Sequence, residues 1–168
     1  LSLAHTLETA VERVSELLAV ECVAVYLRAE EDRLVPAATR SLTGPHARVA
    51  ERMLELSFAR RDRALVESSD ISSDLRLQDV RDAAREAGID AALAARLAVR
   101  DDVIGLLAVY PERHRHATEN EAELLGALAG QLAVAVQNAQ LHERTRELSR
   151  QREAALARHR AGTRQRAL

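Results

Sequence analysis

The chain has 168 residues, 47% of them hydrophobic and 30% charged, which suits one folded domain with a helical extension and argues against a disordered segment. Aromatics are scarce at 2%, with no Trp, so Leu, Val, Ile and Ala must build the core and stacking platforms for single-stranded nucleic acid or sugars are not expected. The net charge of −2 gives no general pull towards nucleic acid or membrane, and a single cysteine, Cys22, rules out an internal disulfide and fits a reducing cytoplasm.

Leu3, Leu7, Ala10, Val11, Val14, Leu17 and Leu18 fall at helical spacing, with Ser2 placed to cap an amphipathic first helix. Cys22–Arg28 and Leu34–Arg40 predict two strands joined by a charged turn, Ala29 to Arg33. Ser41 to Pro45 is a break, and Val49, Met53, Leu54 and Leu56 then mark a second helix. A short strand is expected over Ala64 to Glu67, a loop over Ser68 to Ser73, and a helix over Asp74 to Ala87 closed by Gly88. Ala91 to Val99 and Val103 to Tyr110 predict a second hairpin turning at Arg100, Asp101 and Asp102. After a loop over Pro111 to Ala117, Thr118 and Glu121 form a capping-box pattern that opens a last helix running past Leu148. Paired strands with flanking helices indicate an α+β fold. No run of about 18 apolar residues suggests a membrane span. The chain starts at Leu1 without Met and is expected to be a piece of a longer protein, with Ala161-Gly162-Thr163 read as a linker towards a further domain.

Three stretches carry a family resemblance. They are Ile104-Gly105-Leu106-Leu107 after Asp101-Asp102-Val103; Leu128-Ala129-Gly130-Gln131 leading to Gln137-Asn138-Ala139; and Ile89-Asp90 followed by Ala91 to Leu97. On these residues the sequence resembles the GAF family over roughly residues 3 to 142. The resemblance implies a GAF/PAS-like central antiparallel sheet of five or six strands, flanked by helices. The N- and C-terminal helices would pack together, and a domain over 1–142 would be followed by a helical linker or coiled coil over 143–168. It departs from the family at Arg96, where Pro is usual, and at Ala91, where Ser is usual. The Asn-Lys pair and the Phe-Asp-Glu run of cyclic-nucleotide-binding members are absent: those regions read Tyr110-Pro111-Glu112 and Ala117-Thr118-Glu119.

The resemblance places any ligand pocket between the sheet and the segments 41–45 and 68–76. Thr43, Ser68, Ser69, Asp70 and Arg76 are the polar groups there, with Arg76 suited to clamp an anion. Cys22 at the head of an apolar strand reads as a buried hydrophobe rather than a bilin attachment point. His114 and His116, with Glu119 nearby, lack a third metal partner, and His46 at a helix start is a poor haem ligand. Asp70, Asp74 and Asp79 read as caps and solvated carboxylates. No phosphate loop, nucleophile elbow or zinc-protease motif is present, so neither catalysis, metal nor cofactor is expected.

The last helix carries the stronger signal. Val134, Leu141, Leu148 and Ala155 recur at seven-residue steps, with polar partners Asn138, Thr145 and Arg152. Such a half-apolar seam suits a relay helix in a homodimer, joined by Leu7, Val11 and Val14 of the first helix. From Glu143 to Leu168 eight Arg stand against three Glu, and the chain contains no Lys. The expected role is a cytoplasmic sensory and signal-relay domain of a bacterial protein such as a sensor histidine kinase, with an output domain in the parent protein. The alternatives are a ligand-free dimerisation scaffold and a small redox enzyme, the latter disfavoured by the lone cysteine.

Overall fold

The computed structural model describes residues 2–60, 63 and 65–167. The chain divides into two units, Leu1–Val134 and Ala135–Leu168.

In the first unit, helix α1 (Leu3–Leu18) starts at Ser2, whose hydroxyl accepts from His5 N at 3.2 Å, and ends at Ala19 in the left-handed region. Strands β1 (Cys22–Arg28) and β2 (Leu34–Arg40) form the first hairpin, with a bulge between Val25 and Tyr26. The connecting turn holds a short 3-10 segment, Glu30–Asp32. Helix α2 spans His46–Phe58 and strand β3 spans Leu65–Ser68. Ser68 therefore belongs to the strand and not to the loop expected after it, while Ala64, expected to begin it, lies outside the described residues.

The helix expected over Asp74 to Ala87 is divided. Asp74 caps a 3-10 segment, Leu75–Val80, and helix α3 covers only Arg81–Ala87, closed by Gly88 at φ 70°. Val80, at φ −113° and ψ 13°, leaves helical geometry between the two. Strands β4 (Ala92–Val99) and β5 (Asp102–Tyr110) make the second hairpin, and helix α4 runs from Glu119 to Ala167.

The sheet has five strands in the order β2-β1-β5-β4-β3, every neighbouring pair antiparallel. The period of two sends alternate residues to opposite faces. Ala24, Tyr26, Ala92, Ala94, Leu106, Ala108 and Tyr110 form one core with Met53, Leu54, Leu77 and Ala84 from the helical segments over that face. Val23, Val25, Leu93, Ala95, Leu107 and Val109 point the other way and are also buried. On that second side α1 packs against β1 and β2 through Leu7, Val11, Val14 and Leu18. The start of α4 buries Leu125, Ala129 and Leu132. Each buried Leu or Val contributes about 1.5–3 kcal/mol relative to exposure.

Gly105 sits where β5 pairs with β1, opposite Leu27. A Cβ built there would stand 2.1 Å from the Tyr26 carbonyl oxygen, so no other residue fits without moving the strand.

In the second unit α4 continues unbroken, and Ala161–Thr163, read as a linker, is helical. The sequence reading found no apolar run of spanning length. By length and composition, however, α4 is long and apolar enough to cross a membrane. Core residues such as Leu125, Ala129, Leu132 and Ala133 give the helix part of that character.

Candidate functional site

Four of the five sequence-predicted ligand residues converge. Ser68, Ser69, Asp70 and Arg76 line one polar pocket of about 330 Å³ together with Glu67, Ser73, Asp74 and His116. The end of β3 and two successive 3-10 segments, Ile71–Ser73 and Leu75–Val80, bring them together. Thr43 lies outside that pocket, exposed in the segment before α2.

The pocket's charges are largely committed to one another. Asp70 accepts from Ser72 N at 3.2 Å, Ser72 Oγ at 2.6 Å and Ser73 Oγ at 3.0 Å, and lies 3.5 Å from the Arg113 guanidinium. The Ser72 hydroxyl, first among these, holds its pKa below the usual carboxylate range. Arg76 forks onto Asp74 at 3.0 and 2.7 Å and donates to the Glu67 carbonyl at 2.8 Å. That pairing lowers the Asp74 pKa and raises that of Arg76. Arg76 therefore clamps the protein's own backbone turn, and an anion would have to compete with Asp74 for it. Ser68, 3% exposed, keeps its hydroxyl beside the Asp74 carboxylate without meeting hydrogen-bond geometry.

Sequence reasoning missed a buried polar cluster between the sheet and α2. Tyr26 Oη lies 2.7 Å from Tyr110 Oη and 2.7 Å from His46 Nδ1, all three residues at most 6% exposed. Burial raises both tyrosine pKa values and lowers that of His46. A neutral His46 accepts the Tyr26 proton while Tyr26 accepts from Tyr110, which satisfies the whole chain of donors. The hydroxyls, with Met53, Leu77 and Leu106 at 0% exposure, fill the space over this sheet face. Only the helix-start position of His46 was visible beforehand. Its partners stand 20 and 64 residues away in sequence, and no local signal links them.

Cys22 is partly buried, and its thiol sits 3.4 Å from the Ser41 carbonyl. Desolvation, and then Glu21, raise its pKa, which favours the thiol over the thiolate. His116 Nδ1 lies 3.5 Å from Glu67, and the backbone of His114 donates to the Ser69 carbonyl at 2.7 Å. The loop they occupy also supplies Arg115, which donates to the Leu18 and Ala19 carbonyls at 2.6 and 2.9 Å and to Glu121 at 2.9 Å. Arg115 thereby ties the end of α1 to the first turn of α4, where Thr118 and Glu121 complete the expected capping box at 3.1 Å in each direction.

The residues assigned to a dimer seam part company. Leu7, Val11 and Val14 are 2–3% exposed in the core of the first unit, whereas Val134, Leu141 and Leu148 are 49%, 52% and 60% exposed.

The sequence profile described as GAF domain matches residues 2–136. A search of curated protein sequences finds no match. Among solved structures, the chain is similar to the blue-light absorbing form of the Thermosynechococcus elongatus PixJ GAF domain. Identity is 20% and the TM-score 0.67, over 88% of this chain and 90% of that one. A GAF domain/HD domain protein from Geobacter sulfurreducens gives 21% identity and a TM-score of 0.67, over 84% and 96%. A domain described as from a two-component sensor histidine kinase protein of Sinorhizobium meliloti gives 16% and 0.66, over 84% and 95%.

Proposed function

The chain belongs to the GAF domain family, and from that premise we propose that it is a sensory and signal-relay domain acting as a homodimer, without catalysis of its own. Its setting in this reading is the cytoplasm, within a bacterial signalling protein such as a sensor histidine kinase, and its terminal helices pass the signal to an output domain. The observation that carries the reading is the uncovered heptad stripe of α4. Val134, Leu141 and Leu148 stay about half exposed at seven-residue steps, and pairing two such stripes would remove them from water. Asn138, Thr145 and Arg152 alternate with them, so the seam is weak enough for two packings to be close in energy. Because Leu7, Val11 and Val14 are spent on the core, the share of α1 in a dimer falls to its outer side, where Leu17 is 50% exposed.

Light scattering of the chain at micromolar concentration tests the proposal. The expected result is a dimer that Leu141→Arg together with Leu148→Arg converts to a folded monomer. A wild-type monomer would remove the relay.

A second reading, a ligand-free dimerisation scaffold, is favoured by the filled space over the sheet face, where Tyr26, Met53, Leu77 and Leu106 leave no exposed surface. Native mass spectrometry of the purified dimer separates the two, since a retained small molecule contradicts the scaffold.

A further inference from the structure

The loop between β5 and α4 is bonded along its length to two different parts of the fold. On one side it meets the wall of the polar pocket. Arg113 lies 3.5 Å from Asp70 and donates to Asp90 at 3.0 Å, and His114 N donates to the Ser69 carbonyl at 2.7 Å. His116 Nδ1 and Ala117 N stand 3.5 and 3.4 Å from the same Glu67 oxygen, Oε1. Three of these anchors, Glu67, Ser69 and Asp70, line the pocket. His114 is held at φ 64°, an uncommon conformation for a residue with a side chain.

Between the anchors, Arg115 reaches the other way. Its guanidinium bridges the Leu18 and Ala19 carbonyls to Glu121 Oε2. Those carbonyls close α1, where the last acceptors lack helical partners and the helix dipole is negative. Glu121 stands in the first turn of α4, at the opposite pole, and its other oxygen accepts from Thr118 N at 3.1 Å. One cation thus joins two helix ends through a carboxylate already committed to a cap. Hydrogen bonds tolerate little change in length or angle, so a movement of the pocket wall is either passed along this loop or breaks it free. We propose that Arg113–Thr118 is a coupling strap, through which a change at the polar pocket loosens or tightens the start of α4 and its tie to α1, with Arg115 as the positioning residue. Its purpose rests on the sensory reading. The coupling itself is read at single amides whether or not two copies pair, so a monomer that keeps the coupling removes the relay and leaves the strap standing.

Amide hydrogen exchange of the full chain, followed residue by residue by NMR, tests the strap. Arg113→Ala releases its pocket end. Exchange is expected to quicken about fivefold, the loss of one hydrogen bond, at Val20 and Ala122, amides bonded to the Ser15 and Thr118 carbonyls at the two helix ends. Arg115→Ala should quicken the same two amides, and the double variant should match Arg115→Ala alone, because the strap is then already cut. Two residues that each steady only their own surroundings would instead give effects that multiply. Unchanged exchange in β1 shows that the fold is intact. Asp90→Asn, a milder change at the exposed partner of Arg113, should act in the same direction and carries the test if Arg113→Ala disturbs the core. The proposal is overturned if Arg113→Ala and Asp90→Asn alter exchange only around Asp70 to Ser73, or if the two arginine effects multiply in the double variant.

Discussion

Leu1–Val134 and Ala135–Leu168 are similarly rich in alanine, though the second is the richer in arginine, yet they treat their apolar side chains in opposite ways. In the first, five strands and the helices on both faces leave the core residues of α1, β1, β4 and β5 almost without exposed surface. In the second, Leu141, Leu148 and Leu156 stand 52–60% exposed along an unbroken helix, and Val136 is the single buried hydrophobic among its described residues. The difference lies in what each stretch has opposite it. A sheet provides a surface with period two on which helices can lie, whereas a lone helix has no second layer. Apolar content alone does not make a core.

Substitutions can break or sharpen that contrast. The largest effect is expected from Gly105→Ala, which forces a methyl group into the Tyr26 carbonyl. It should cost about 4 kcal/mol or more, and urea denaturation should show the first unit largely unfolded. Tyr26→Phe comes next. Removing one hydroxyl strands both Tyr110 Oη and His46 Nδ1 in the interior, at a cost of about 1–3 kcal/mol in the same assay.

A smaller effect follows from pH. Burial holds the His46 pKa below its ordinary 6.5, so the unfolded chain takes up the proton more readily than the folded one. The contribution is complete above that ordinary value and is lost as the pH falls from it through the folded pKa. Protonation would also place a cation at the start of α2, against the helix dipole, and reverse the donor chain through Tyr26. Thermal melts between neutral and mildly acidic pH should therefore show declining stability, with a flatter slope for His46→Gln. The smallest effect on the fold belongs to Leu148→Ser, expected to stay within about 0.5 kcal/mol for the first unit while weakening self-association in sedimentation runs.

These sites also mark how far the sequence could be read. Strands β1 and β2, the Ser2 and Gly88 caps and the Thr118–Glu121 box depend on residues within a few positions of one another, and they were legible. The break at Val80 was not, because Asp74 starts a 3-10 turn where helical spacing continues on both sides. The Tyr26–Tyr110–His46 cluster depends on the register that pairs Cys22 with Tyr110 and Tyr26 with Leu106, a fact about two strands far apart in the chain. At the polar pocket, residue types pointed to Ser68, Ser69, Asp70 and Arg76 together. They did not reveal that Asp74 already occupies the guanidinium, since that pairing depends on how tightly the turn folds back.

The buried tyrosine pair has an optical consequence. Tyr26 and Tyr110 are the only tyrosines, and the chain has no Trp. Nearly all its near-ultraviolet absorption and intrinsic fluorescence therefore arise from two rings whose hydroxyls touch. Any change in that signal reports on the junction of β1 and β5, while the long arginine-rich helix contributes no chromophore of its own. Light alone can thus follow the folded body of this protein separately from its tail, without a label on either.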